Sequence, residues 1–446
     1  MKVGKAPQPG SGAALPERFT LTNATPYGGA QLIWRFLEHV GLPARAAAAL
    51  APHEKAKHAK YSLVQEVLLL LIGRMLGLGR VFDFVELEQD PLLKFLFGLP
   101  KLPDVTILYK ELVRLGSAPV RAALQLLHEY IAGLTLGTEV IIDIGSTVET
   151  IYGHQERSAV GYNPSKPGRA SFHPQLCFDG LTRTLLDCEL RSGNTTSSSG
   201  LVLTFTRVLA SPLVAGRHVR LVRGDRGYGN EDFMALLEER GLNFILKVKG
   251  TKPLRAWSDT LEYRPIGTTA LGDVLEVASG LYQAGDWSRP RRVVVVRERA
   301  AVPVKGSLLP LPAIADEQFL ATSVDWDEED VFHSYNQRCT SETTIRTLKE
   351  DWDLDAFSKA GFDANAADML LKGMAYNLTL AMQQQLAPRR DRAVVHTAAT
   401  IRRWWFLLPA VVANHSRYYF LRLPREAERG HHGQACDALA ALATGT

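Results

Sequence analysis

A change of hydrophobic period at Gly137 restricts the fold of this chain more than any other feature. Before it, Leu32, Ile33, Phe36, Leu37 and Val40 recur at helical spacing and stop near Gly41-Leu42-Pro43. The same spacing predicts helices over Ser62 to Leu76, Leu92 to Phe97, Val105 to Leu115 and Pro119 to Leu134. Short helices between tight turns suit a helix-turn-helix reader of DNA, and suit a plain helical bundle equally well. After Gly137 the pattern becomes short and β-rich. Thr138 to Ile144 is bounded by glycines, and Asp179-Gly180 is a hairpin signal between Ser171 to Phe178 and Thr182 to Leu190.

The β-rich part continues as strand, helix, strand. A helix is expected from Leu201 to Leu209, a strand over His218 to Val222, a helix over Glu231 to Glu239 and a strand over Phe244 to Val248. This is a mixed α/β layout. Residues 251–325, punctuated by Pro and Gly, carry strand runs at Leu275 to Val277, Arg291 to Arg297 and Phe319 to Thr322, and read as a β-rich insertion. Helices return over Asp327 to Lys349 and Asn365 to Gln385. The expected division is a flexible arm (1–27), a helical DNA-binding domain (28–134), a core in two parts (135–250 and 326–386) split by the insertion (251–325), and a basic C-terminal region (387–446).

Composition removes several classes. Hydrophobic residues make up 46% of the 446 and charged residues 22%, an ordinary globular balance that excludes disorder over most of the chain. The net charge is 51 − 47 = +4, which permits a polyanionic partner without requiring one. Four cysteines with no CxxC pair exclude a disulfide scaffold and a cysteine zinc site. The longest apolar run, Val67 to Ile72, is far below the roughly 20 residues of a spanning helix. No secretory signal is visible, so the expectation is a soluble, cytoplasmic protein with no membrane partner.

Three carboxylates stand out by position. Asp143 lies in the apolar run Val140 to Ile144, where a charge is costly unless paired or metal-bound. Asp225 follows a strand and is flanked by Gly224 and Gly227, and strand ends in α/β sheets collect ligands. Glu342 lies with Tyr335, Arg338, Arg346 and Lys349 at offsets of 0, 3, 7, 11 and 14, which places all five on one helical face. One aromatic, one acid and three bases do not make a core stripe. Hard Mg²⁺ prefers carboxylate oxygens, and cations beside it grip phosphates. Two such ions roughly 4 Å apart can activate an oxygen nucleophile and stabilise the leaving oxygen.

The run Tyr335-x2-Arg338-x3-Glu342-x6-Lys349 resembles the signature of bacterial insertion-sequence DDE transposases. So do Gly153-His154-Gln155-Glu156, Gly161-Tyr162-Asn163-Pro164, Phe172-His173-Pro174, Arg191-Ser192-Gly193-Asn194 and Gly224-Asp225-Arg226-Gly227-Tyr228. The resemblance covers about residues 30–425. It implies an α/β fold: a ribonuclease-H-like mixed-sheet core with a β-rich insertion domain, preceded by an all-α N-terminal domain. It also implies Mg-dependent cleavage and strand transfer at terminal inverted repeats, with Asp143, Asp225 and Glu342 as catalytic metal ligands and Mg²⁺, or alternatively Mn²⁺, as the ion. The implied partners are double-stranded end and target DNA and a second copy of the chain in a synaptic complex, in a bacterial nucleoid. Arg338, Arg346 and Lys349 would meet phosphates, Tyr335 and Tyr228 would lie near bases, and Arg389 and Arg390 would track the backbone.

There is one departure. Relatives commonly carry Asp-x-Asp-Ser-Thr where this chain reads Asp143-Ile144-Gly145-Ser146-Thr147. If position 145 holds the metal, the chain lacks a ligand. Two alternatives therefore stand beside the active transposase: a catalytically impaired, transposase-derived DNA-binding protein, and a related structure-specific nuclease. Plainer readings also exist for single features. Asp143 suits a buried structural acid, Asp225 to Gly227 an ordinary turn, and the Glu342 face a solvated row of ion pairs. His154, His173 and His333 suit hydrogen-bonded structural roles, and Trp404-Trp405-Phe406 suits core packing.

Overall fold

A computed structural model describes residues 17, 19–270, 272–299, 314–388 and 394–444. Six helices come first: α1 (Ala30–His39), α2 (Leu42–Leu50), α3 (Leu63–Leu76), α4 (Pro91–Phe97), α5 (Val105–Leu115) and α6 (Ala118–Gly133). Their ends follow local chemistry. Ser62 and Gln65 form a capping box at the start of α3, and Gly77, at φ +107°, closes it in the left-handed region. Asp90 and Asp104 cap α4 and α5 through the backbone N–H three residues on.

The strands are β1 (Ala24–Thr25), β2 (Glu139–Ser146), β3 (Glu149–Thr150), β4 (Ala159–Val160), β5 (Ala170–Phe172), β6 (Gln175–Asp179), β7 (Leu185–Glu189), β8 (His218–Gly224) and β9 (Phe244–Val248). Then follow β10 (Arg264–Thr268), β11 (Val274–Tyr282), β12 (Arg291–Arg299), β13 (Ile314–Thr322), β14 (Ala410–His415) and β15 (Tyr418–Arg422). Nine of them form one mixed sheet in the order β10-β11-β12-β13-β9-β8-β2-β6-β7. β2 runs parallel to β8 and antiparallel to β6.

The remaining helices are α7 (Leu201–Ala210), α8 (Glu231–Glu239), α9 (Lys252–Ser258), α10 (Glu328–Asn336), α11 (Cys339–Trp352), α12 (Phe362–Leu386), α13 (Ala398–Ile401), α14 (Arg425–Arg429) and α15 (His431–Thr444). On one sheet face Val140, Ile142 and Ile144 of β2 pack with Phe205 of α7 and Phe233 of α8. On the other, Ile141 packs with Val331, Phe332 and Tyr335 of α10. Side chains alternate along a strand, so Asp143 and Gly145 share the α10–α11 face with Ile141.

Several expectations need revision. The strands of the 251–325 segment continue the main sheet, since β13 pairs with β9. The expected strand over Ser171 to Phe178 is two strands, divided at His173-Pro174 because proline cannot donate to a ladder. Asp327 to Lys349 is not one helix. It breaks at Gln337-Arg338, which puts Tyr335 on α10, Arg338 at the joint and Glu342, Arg346 and Lys349 on α11. The end of the N-terminal arm is tied down, because Ala24 and Thr25 pair with β14 and Tyr27 donates to Glu86 at 2.8 Å.

The early helices do not form a free-standing bundle. Leu69, Leu112 and Leu124 share one core with Leu371, Met374 and Leu378 of α12 and with Phe178 and Leu185 of the sheet edge. At its base Asp368 of α12 holds three buried cations: Arg74 and Lys359 at 2.6 Å and Lys372 at 3.3 Å. Although burial opposes its ionisation, those charges hold Asp368 far below the usual carboxylate range. Among the described residues no helix is long and apolar enough to cross a membrane.

Candidate active site

Asp143 is fully buried, and so is the Arg223 that faces it across the β2–β8 pair. Arg223 Nε donates to Oδ1 at 2.6 Å and Nη2 to Oδ2 at 2.8 Å, so both carboxylate oxygens are taken. The third guanidinium nitrogen donates to the Ser334 carbonyl at 2.5 Å. This is the bidentate geometry in which a buried ion pair survives desolvation. Burial pushes the Asp143 carboxyl up while Arg223 pulls it back. Gly180 closes over the pair; a Cβ there would lie 2.5 Å from Arg223 Nη2 and 2.8 Å from Asp143 Oδ2. Arg223 is a participant that the sequence reading missed. A second charge in an apolar strand, Leu221-Val222-Arg223, was its only trace.

Asp225 and Glu342 are placed differently. Their side chains are 53% and 61% exposed, and one guanidinium reaches both. Arg338 Nη2 lies 3.9 Å from Asp225 Oδ1 and donates a hydrogen bond to Glu342 Oε1. Arg338 also sits over the Tyr335 ring, 5.6 Å from its centroid. Burial works against the Arg338 charge, but Tyr335, Asp225 and Glu342 outweigh it and hold its pKa up. Tyr335 is buried, and burial pushes its hydroxyl up to about 12. Two of the three expected acids therefore meet at one cation, and Asp143 is paired elsewhere.

An open groove of about 370 Å³ continues along α11, lined by Thr147, Glu342, Ile345, Arg346, Lys349, Glu350 and Asp355. Arg346 is exposed in it. Lys349 is already ion-paired, with Nζ 3.0 Å from Glu149 Oε1. Tyr228 is buried, so its ring is not open to a base. Arg389 and Arg390 lie outside the described residues. His173 bonds the Thr195 carbonyl at 2.8 Å and Ser146 Oγ at 3.0 Å, a structural arrangement. Among the described residues no group of three or more His, Cys, Asp or Glu side chains is arranged to hold a metal ion.

A second exposed surface had no counterpart in the sequence reading. β14 and β15 form a hairpin whose two-residue turn, Ser416-Arg417, holds Ser416 at φ +59°. His415 lies opposite Tyr418, and Ala413 opposite Phe420, so His415, Tyr418, Phe420 and Arg422 share one face. Tyr418 is 77% exposed and Phe420 48%. From Ile401 to Arg425 the chain contains five arginines and no acid.

Residues 10–443 match the family described as transposase DDE domain group 1. No curated protein matches the chain. Among solved structures, a piggyBac transposase synaptic complex with hairpin DNA, determined by cryo-electron microscopy, aligns over 84% of this chain and 78% of that one, at 14% identity and a TM-score of 0.45. The family match spans nearly the whole sequence, and this chain belongs to the DDE transposases.

Proposed function

We propose that this chain binds the terminal inverted repeats of its own mobile element and holds them, as a homodimer, at the groove beside Asp225 and Glu342. Phosphates would meet the exposed Arg346 there, with Arg338 buried behind it and held by Glu342. The basic, aromatic hairpin offers a second contact, with Tyr418 and Phe420 free to stack on bases and Arg417 and Arg422 beside them. The protein would act at the bacterial nucleoid.

DDE transposases use divalent metal ions. The acids present here do not fit two shared cations. Both oxygens of Asp143 are committed to Arg223 in the sheet interior, and a guanidinium stands between Asp225 and Glu342. Removing Asp143 from its partner to serve a cation would leave a buried, unpaired Arg223, at a cost of about 3–5 kcal/mol. The geometry therefore favours the impaired, end-binding reading over an active cutting enzyme. The Asp143–Arg223 pair is the observation that carries this preference.

The test is a gel-shift titration with element-end duplex against a scrambled duplex, followed by incubation with Mg²⁺ or Mn²⁺. Preference for end DNA with intact strands is expected. Equal affinity for both duplexes would remove the end-binding role, and nicking by the unaltered chain would restore the active reading.

A further inference from the structure

We infer that Gly145, and not Asp143, occupies the position of the acid that would complete a divalent-cation site with Asp225 and Glu342, and that the chain lacks such a site for want of one carboxylate.

The strand register carries the first part. In the parallel β2–β8 pair Asp143 lies opposite Arg223 and Ile144 opposite Gly224. The pairing ends there; continued one step past Gly224, it would bring residue 145 toward Asp225, on the face that Asp143 shares with Arg223. Asp143 therefore stands one full pleat back from the strand ends, in the dry part of the sheet. Gly145 is itself buried near the end of β2, and Asp225, just past the end of β8, is open to solvent.

Helix α11 carries the second part. A Cβ built at Gly145 meets a single neighbouring atom within 4 Å, Ile345 Cδ1 at 3.1 Å. Ile345 follows Glu342 by one helical turn and lines the same groove. An aspartate at 145 would thus project between the Asp225 turn and the Glu342 helix. The space is tight by a few tenths of an ångström, and the obstacle is the end of a flexible, partly exposed side chain. Asp225 and Glu342 against Arg338 leave one net negative charge, whereas a third carboxylate would leave two, which suits a hard divalent cation better.

The cation class rests on the transposase reading, so the readout is cation binding without DNA. Mn²⁺ is titrated into the full chain and followed by electron paramagnetic resonance, for the parent, Gly145→Asp, Gly145→Asn and Gly145→Asp with Ile345→Val. Thermal melts establish which variants fold. The parent and the asparagine variant should bind weakly and alike. A folded aspartate variant should bind tighter by about tenfold or more, because affinity follows ligand charge count. No gain in a folded aspartate variant overturns the inference. So does tight binding by the parent chain, a result that needs no substitution at all. Neither result bears on end-DNA preference, which the gel shift measures separately.

Discussion

Asp143 and Arg223 face each other across two parallel strands and are joined by charge-assisted hydrogen bonds of 2.6 and 2.8 Å, with both side chains shut off from water. The acid that looks most catalytic from its place in an apolar strand is thereby a fixed part of the sheet. Asp143→Asn should destabilise the protein by about 3–5 kcal/mol, because the guanidinium stays buried without its counter-charge. The double replacement Asp143→Leu with Arg223→Met should recover most of that loss, since an apolar pair of similar size needs no compensation. Urea unfolding of the parent and the two variants checks this. A stable Asp143→Asn protein would point to a functional acid instead.

Arg346 projects from α11 into the groove and is exposed. Arg346→Ala should weaken binding to element-end and unrelated duplexes alike, and reduce the salt dependence of binding by about one counter-ion. Titrations at several salt concentrations measure the slope. An unchanged slope would place DNA elsewhere.

The β14–β15 hairpin makes a separate prediction. Tyr418→Ala with Phe420→Ala should lower the melting temperature only slightly, since Tyr418 is largely and Phe420 about half exposed. Affinity for end DNA should fall by about 1–3 kcal/mol for each ring that stacks on a base. Fluorescence anisotropy with labelled duplex would detect that loss, and full retained affinity would take the hairpin out of the interface.

A pH effect follows from Glu66 on α3. Burial, and then Glu111, raise its carboxyl from 4.5 to about 8, although Lys55 pulls the other way. Glu111 shares that lysine, at 2.6 Å from Nζ. Between pH 4.5 and about 8 the folded chain keeps a proton that the unfolded chain has released. The neutral form is the one the fold favours, so stability is greatest below pH 4.5 on this account and declines as pH rises to about 8. Glu66→Gln should flatten the decline, worth about 1–3 kcal/mol over that window. Melting curves at pH 5, 6, 7 and 8 compare the two, and parallel slopes would contradict the assignment.

Much of this protein is readable from residue order alone, because local rules act within a few residues. The helix Val105–Leu115 and the strand Phe244–Val248 have the bounds their patterns predict. Asp225 sits at a strand end, as its flanking glycines indicate. The family was also legible, since motif spacing is a property of the chain itself. What linear order could not decide was the pairing of charges 80 residues apart. Asp143 and Asp225 are both acids in the β-rich part of the chain, one within a strand and one just past a strand end. Only the parallel register gives one of them Arg223 and leaves the other in solvent. The helix break at Gln337 likewise depends on how α10 and α11 pack on the sheet. Hydrophobic period is local and survives in any context, whereas a carboxylate's role is set by the partner that tertiary folding brings within hydrogen-bond reach.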